Sequence, residues 1–109
     1  MQQSDYDIDV ENLSELRTAR RAHTVLDIRE PDEVAICVLP DSVVVPMQQV
    51  PDALESLPRD APLVVLCHHG MRSAMVTNYL RGNGFDNAWN LRGGIDAWAR
   101  MIDPQMPRY

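Results

Sequence analysis

The chain has 109 residues with ten basic and sixteen acidic side chains, a formal net charge of −6. That length predicts one domain whose core closes without staples. The acidic balance argues against a general nucleic-acid or membrane-surface binder, because phosphates attract basic surfaces.

No apolar run reaches transmembrane length. The opening MQQSDYDIDV has neither a basic start nor an apolar stretch, so no secretory signal is expected. Two cysteines, Cys37 and Cys67, make no disulfide framework, and a reducing cytosol is the expected compartment. Ile8 and Val10 alternate with acids and predict a short edge strand. Asn12, with Glu15 three residues on, reads as a helix N-cap. Leu13, Leu16 and Ala19 continue at helical spacing, and Arg17, Arg20 and Arg21 gather where cations complement the helix dipole.

His23 to Ile28 is the next strand, centred on Val25 and Leu26. Pro31 opens a short helix with Asp32 and Glu33 in its first turn. Cys37, inside the apolar run VAICVL, reads as a buried small hydrophobe. Val43 to Val45, closed by Pro46, is a third strand. Pro51 to Leu57 is a short helix, and Leu63 to Leu66 a fourth strand, apolar throughout. Ala74, Met75, Tyr79 and Leu80 mark a helix ended by Gly82 and Gly84. Asn87 to Leu91 is a fifth strand, and Ile95 to Met101 a last helix after Gly93 and Gly94. Trp89 and Trp98 read as packing residues, and residues 102–109 show no clear structure. Strands alternating with helices predict an α/β domain whose mostly parallel sheet is covered on both faces. In such folds the active site lies beyond the carboxyl ends of the strands.

The segment LVVLCHHGMRS, Leu63 to Ser73, carries the chemistry. An apolar strand runs straight into Cys67, and a helix begins near Ser73 after a short turn containing Gly70. A cysteine there faces the unpaired N–H groups and positive dipole end of the helix, which favours thiolate, the reactive form. Arg72, His68 and His69 add positive charge to the same turn. The alternative reading of Cys67 is a core cysteine at a strand end. Gly70 supplies a positive φ. Met71 occupies the loop position nearest the mouth. Ser73 reads as a helix cap rather than a nucleophile. His68 and His69 make no metal site: adjacent side chains point apart, and no cysteine or carboxylate at ligand spacing completes a set.

Three segments together resemble the single-domain rhodaneses of the thiosulfate sulfurtransferase family: LDIREPDE (Leu26 to Glu33), LVVLCHHGMRSA (Leu63 to Ala74) and GFDNAWNLRGGIDAW (Gly84 to Trp98). Their order and spacing agree, so the likeness covers roughly Ile8 to Met101 of a single domain spanning 1–109. It implies a rhodanese-like three-layer fold with about five strands. One stretch departs from the pattern. Where family members carry a Gly-His-Ile-Pro-Gly-Ala type turn, this chain has CVLPDSVVVP, keeping Pro40 and Pro46 without the glycines or histidine.

The resemblance also implies a reaction. Dual-specificity phosphatases share a similar fold but place five residues between cysteine and arginine; here there are four, His68 to Met71. The smaller ring implies sulfane sulfur rather than tetrahedral phosphate. Cys67 then takes the outer sulfur of thiosulfate or a similar donor as a persulfide and passes it to cyanide or a thiol, with no metal and no cofactor. Arg72 either clamps the donor or locks the loop through carbonyl hydrogen bonds. Arg29 matches a family arginine near the site and either binds donor oxygens or pairs with Asp27, Glu30 or Glu33. Family members with a basic residue at the Met71 position suit thiosulfate, so methionine leaves the donor open. The expected partners are a small-molecule sulfur donor and acceptor, or a protein in either role, with no nucleic acid and no membrane. A persulfide carrier loaded by a partner protein is the first alternative. A phosphatase or arsenate reductase is the second, and an inert scaffold the last.

Overall fold

The computed structural model describes residues 6–109; residues 1–5, part of the polar opening stretch, lie outside it. Among the described residues five strands form one sheet in the order β1-β5-β4-β2-β3, every neighbouring pair parallel. They are β1 (Asp7–Ile8), β2 (Thr24–Asp27), β3 (Val43–Val44), β4 (Leu63–Leu66) and β5 (Ala88–Leu91). The helices are α1 (Val10–Thr18), α2 (Pro31–Ile36), α3 (Val50–Ala53), α4 (Met71–Gly82) and α5 (Gly94–Met101). The doubly covered parallel sheet expected from the alternating pattern is the architecture observed.

The strands separate two cores by simple alternation. Along β4, Val64 and Leu66 point to one face, where they pack with Val10, Leu13, Leu91, Ile95 and Trp98 from α1, β5 and α5. Leu63 and Val65 point to the other, against Val50, Val76, Leu80 and Phe85. All four β4 side chains are buried, which is why the strand reads as a continuous apolar run. The central position of β4 follows, since an all-apolar strand needs cover on both faces and partners on both edges.

Three local expectations change. Val10 lies in α1 rather than in an edge strand, because its side chain belongs to the core. The cap of that helix is Asp9, whose carboxylate accepts the Asn12 N–H at 2.8 Å; Asn12 sits inside the first turn. The predicted helix from Pro51 to Leu57 is one α-turn, α3, running into a 3₁₀ turn over Leu54–Ser56. In the departing stretch Asp41, directly after Pro40, takes φ +66°, the left-handed conformation a glycine would adopt without strain. Its neighbour Ser42 closes the turn through two hydrogen bonds to the Leu39 carbonyl, at 3.3 and 2.8 Å.

Register brings the site together. Leu26 pairs with Val65 and Asp27 with Leu66, so β2 and β4 end level with each other. Ile28 and Cys67 therefore leave the sheet side by side, with Arg29 one residue further on.

Candidate active site

Cys67 follows β4 directly, and its residue is 1% exposed. Gly70, at φ +102°, turns the chain into α4. The turn aims two backbone N–H groups at the sulfur: Gly70 donates to Sγ at 3.1 Å and Ser73 at 3.4 Å. The Ser73 hydroxyl lies 3.3 Å from Sγ and donates to Asn90 Oδ1. Asn90 in turn donates to Asp7 Oδ1 at 3.0 Å. Ser73 is thus not the cap of α4; Gly70 holds that position, and the serine is buried against the cysteine.

The loop is held from outside as well. Ile95 and Asp96, in the first turn of α5, donate to the Cys67 and His68 carbonyls at 2.9 and 3.0 Å. Gly94 permits this approach: a Cβ on it would lie 2.6 Å from the Cys67 carbonyl oxygen and closer still to that of His68. With its carbonyls claimed by α5, the loop keeps its amides for the sulfur.

Beside this backbone cradle stands a network of charged side chains. Arg29 is wholly buried and donates from Nε and Nη2 to the two Asp27 oxygens at 2.9 and 2.7 Å. Nη2 also reaches the Cys37 carbonyl at 2.7 Å, and Nη1 the Tyr109 hydroxyl at 3.0 Å. Burial alone would lower its pKa, but the bonds to Asp27 and Tyr109 outweigh it and the net direction is up. The substrate-binding role expected of Arg29 does not fit this geometry. Every nitrogen of the guanidinium already donates to a protein acceptor, and the Asp27 ion pair is the reading the structure supports.

Arg72 neither clamps an open pocket nor bonds loop carbonyls. Its two terminal nitrogens grip Glu33 at 2.8 Å each, a bidentate pair across 39 residues of sequence. Chiefly for that reason Glu33 falls to a pKa of about 2, against the opposing effect of burial. Arg72 is raised by the same pair.

The two histidines differ. His69 faces solvent, while the His68 ring lies between His69, at 3.9 Å between centroids, and Tyr109, stacked at 3.9 Å and 10°. Burial first, then the neighbouring His69, lowers the His68 pKa, which disfavours the positive charge this ring was expected to bring to the turn. The side chains do not point apart as expected. One ligand atom from each of His68, His69 and Asp96 lies within 4.8 Å of the others. A single tetrahedral zinc with bonds of about 2.0–2.1 Å spans roughly 3.4 Å between ligands. The group would have to close in, and Asp96 would have to leave Arg100 and Arg108, which bond its two oxygens at 3.1 Å each. Met71, at 78% exposed, opens α4 at the rim of the loop.

Tyr109, Asn90 and Asp96 join the site without being marked by any motif in the sequence. Glu33 entered only as a helix-turn acid and as a partner for Arg29. A lone aromatic beyond the last helix carries no periodicity, and Asn90 is one polar residue in a short strand. Neither offers a local signal.

A family model described as Rhodanese-like domain matches residues 9–101. A protein named sulfurtransferase from Allochromatium vinosum is 38% identical over 94 residues, 86% of this chain and 88% of that one. The adenylyltransferase and sulfurtransferase uba4 of Ogataea parapolymorpha is 31% identical across 98% of this chain, which spans 27% of that protein's length. A crystal structure of a rhodanese-related protein from Thermoplasma volcanium superposes with a TM-score of 0.81 at 32% identity, covering 89% of this chain and 93% of that one.

Proposed function

The chain belongs to the rhodanese-like family, and we propose that it moves sulfane sulfur through a persulfide on Cys67. Sulfurtransferase activity in general is what the family match and the named relatives support. The observation that carries the finer reading is the pair of amides, Gly70 and Ser73, converging on one buried sulfur. Such a cradle stabilises negative charge on sulfur without needing a cationic side chain or a general base.

In the first half-reaction the Cys67 thiolate attacks the outer sulfur of a sulfane donor such as thiosulfate. The new bond forms from Sγ to that sulfur as the donor's S–S bond breaks, and sulfite leaves with the electron pair. Sγ then carries a terminal sulfur whose charge faces the loop amides. In the second, cyanide or a thiol attacks the terminal sulfur and Cys67 departs as thiolate, giving ping-pong kinetics. The cycle needs a reduced Cys67, and we therefore place it in a reducing, cytoplasmic setting.

A second reading is favoured by one observation. Arg29 and Arg72 are both matched by carboxylates and Met71 carries no charge, which leaves little to attract free thiosulfate. The chain would then be a carrier, loaded and emptied by partner proteins. The phosphatase and arsenate reductase readings need a wider ring than the four residues between Cys67 and Arg72.

The test is direct: incubate reduced protein with thiosulfate, and in parallel with an organic persulfide, then weigh the intact chain. We expect one added sulfur atom, lost on cyanide treatment and missing in Cys67→Ser. No adduct from either donor would defeat both the enzyme and the carrier. Loading from the organic persulfide alone would favour the carrier.

A further inference from the structure

Residues 102–109 form no helix or strand, yet they are fixed in place. Ile102 and Met106 pack against the α1–α5 core, and the Ile102 and Asp103 N–H groups donate to the Trp98 carbonyl at 2.8 and 2.9 Å. Arg108 then pairs with Asp96 at 3.1 Å. These anchors deliver Tyr109 to the cysteine loop. Its ring stacks on His68, the residue after the nucleophile, and its hydroxyl reaches Glu33 Oε2 at 2.8 Å, the carboxylate that holds Arg72. The ring therefore bridges the two ends of the loop. Its hydroxyl also takes the Nη1 donor of Arg29 at 3.0 Å.

We propose that Tyr109 is a specificity-determining residue, one that closes the Cys67 site against compact anionic sulfur donors. The inference rests on the sulfur-transfer reading and follows from geometry and charge. A small dianion needs donors that are not already matched. On this side of the loop the Nη1 group of Arg29 is taken by the phenol, Arg72 is taken by Glu33, and the Glu33 carboxylate faces the space the phenol would vacate. An entering anion must therefore break two hydrogen bonds and a ring stack, and then meet a like charge. A donor whose sulfur rides on a larger uncharged group meets no such repulsion, and the exposed Met71 on the rim offers it apolar contact.

The experiment measures alkylation of the two cysteines in the full chain, with sites assigned by peptide mass spectrometry. Neutral iodoacetamide and anionic iodoacetate are compared in wild type, Tyr109→Phe and Tyr109→Ala. We expect Tyr109→Ala to raise the iodoacetate rate at Cys67 at least tenfold and the iodoacetamide rate no more than threefold, with Cys37 unchanged. Tyr109→Phe, which keeps the ring but frees the donor of Arg29, should fall between. An iodoacetate-to-iodoacetamide ratio within twofold of wild type in Tyr109→Ala would overturn the proposal, as would a matched rise at Cys37, the mark of a loosened fold. Alkylation requires only a reachable nucleophile, so this arm stands apart from sulfur transfer. With thiosulfate, Tyr109→Ala should lower KM at least fivefold with kcat within threefold. Inert variants with a shifted alkylation ratio would sink the transfer reading and leave the gate in place.

Discussion

Cys37 and Cys67 are both buried, one packed into each of the two cores, and a donor approaches each sulfur. Around Cys37 the donor is a side chain. Arg29 Nη1 lies 4.0 Å from its sulfur, and the backbone there is the carbonyl-rich end of α2. Around Cys67 the donors are backbone N–H groups at the start of α4, at 3.1 and 3.4 Å. Burial alone does not distinguish a reactive cysteine from an inert one; the direction in which the peptide units face does. The charged network around Cys37 holds structure, and in the sulfur-transfer reading proposed above the amide cradle around Cys67 serves the chemistry. The two should fail differently.

The largest effect should come from the sulfur itself. Cys67→Ser is expected to lower sulfur transfer by about a thousandfold or more, some 4 kcal/mol of barrier, with an unchanged melting temperature. Cys37→Ala should leave transfer within about threefold, measured in the same assay. Asp27→Asn probes the other region. It strands a buried guanidinium, and a loss of about 3–5 kcal/mol is expected in denaturant unfolding, far larger than any effect of replacing Cys37. If Asp27→Asn instead left stability intact, the two regions would not divide as described.

Gly94→Ala tests whether the cradle depends on its outer support. The added methyl would press on the Cys67 and His68 carbonyls from a backbone at φ +63°. A tenfold or greater fall in transfer is expected, with a stability loss of about 2–3 kcal/mol. Acid should expose the charged region next. Glu33 is depressed from the ordinary 4.5 to about 2 by Arg72. Its contribution is therefore complete above about pH 4.5 and is lost as pH falls toward 2. Shared with solvent as it is, the pair contributes about 1–3 kcal/mol. His68, also lowered, acts in the same direction, so stability should begin a shallow decline below 6.5 before the steeper one. A Glu33→Gln variant should flatten the lower part of that profile. The smallest effect is expected from Ser73→Ala: a threefold to tenfold loss of transfer, since the two amides remain.

How much of this was readable beforehand follows from the range of the contacts. The strand–turn–helix around Cys67 was legible because every element of it is local: Leu63 to Leu66 for the strand, Gly70 for the turn, the helix pattern after it. The fold class was legible from alternation. The sequence around Arg29 fits an anion site and an ion pair equally, and only burial decides between them, which no local pattern encodes. The Arg72–Glu33 pair joins residues 39 apart, and Tyr109 reaches partners 76 and 80 residues away. Such contacts depend on sheet order and on where the segment after α5 is laid down. Asp9 was missed as a cap because Asn12 and Glu15 imitate one, while the burial of Val10 moved the true start of α1 upstream.

The hold of α5 on the loop has one more consequence. Because Ile95 and Asp96 seize the carbonyls of residues 67 and 68, the orientation of the inner amides is set by main chain on both sides. Side chains at positions 68, 69 and 71 are bystanders to that orientation, so exchanging them should retune who enters while the seat for the travelling atom stays as it is.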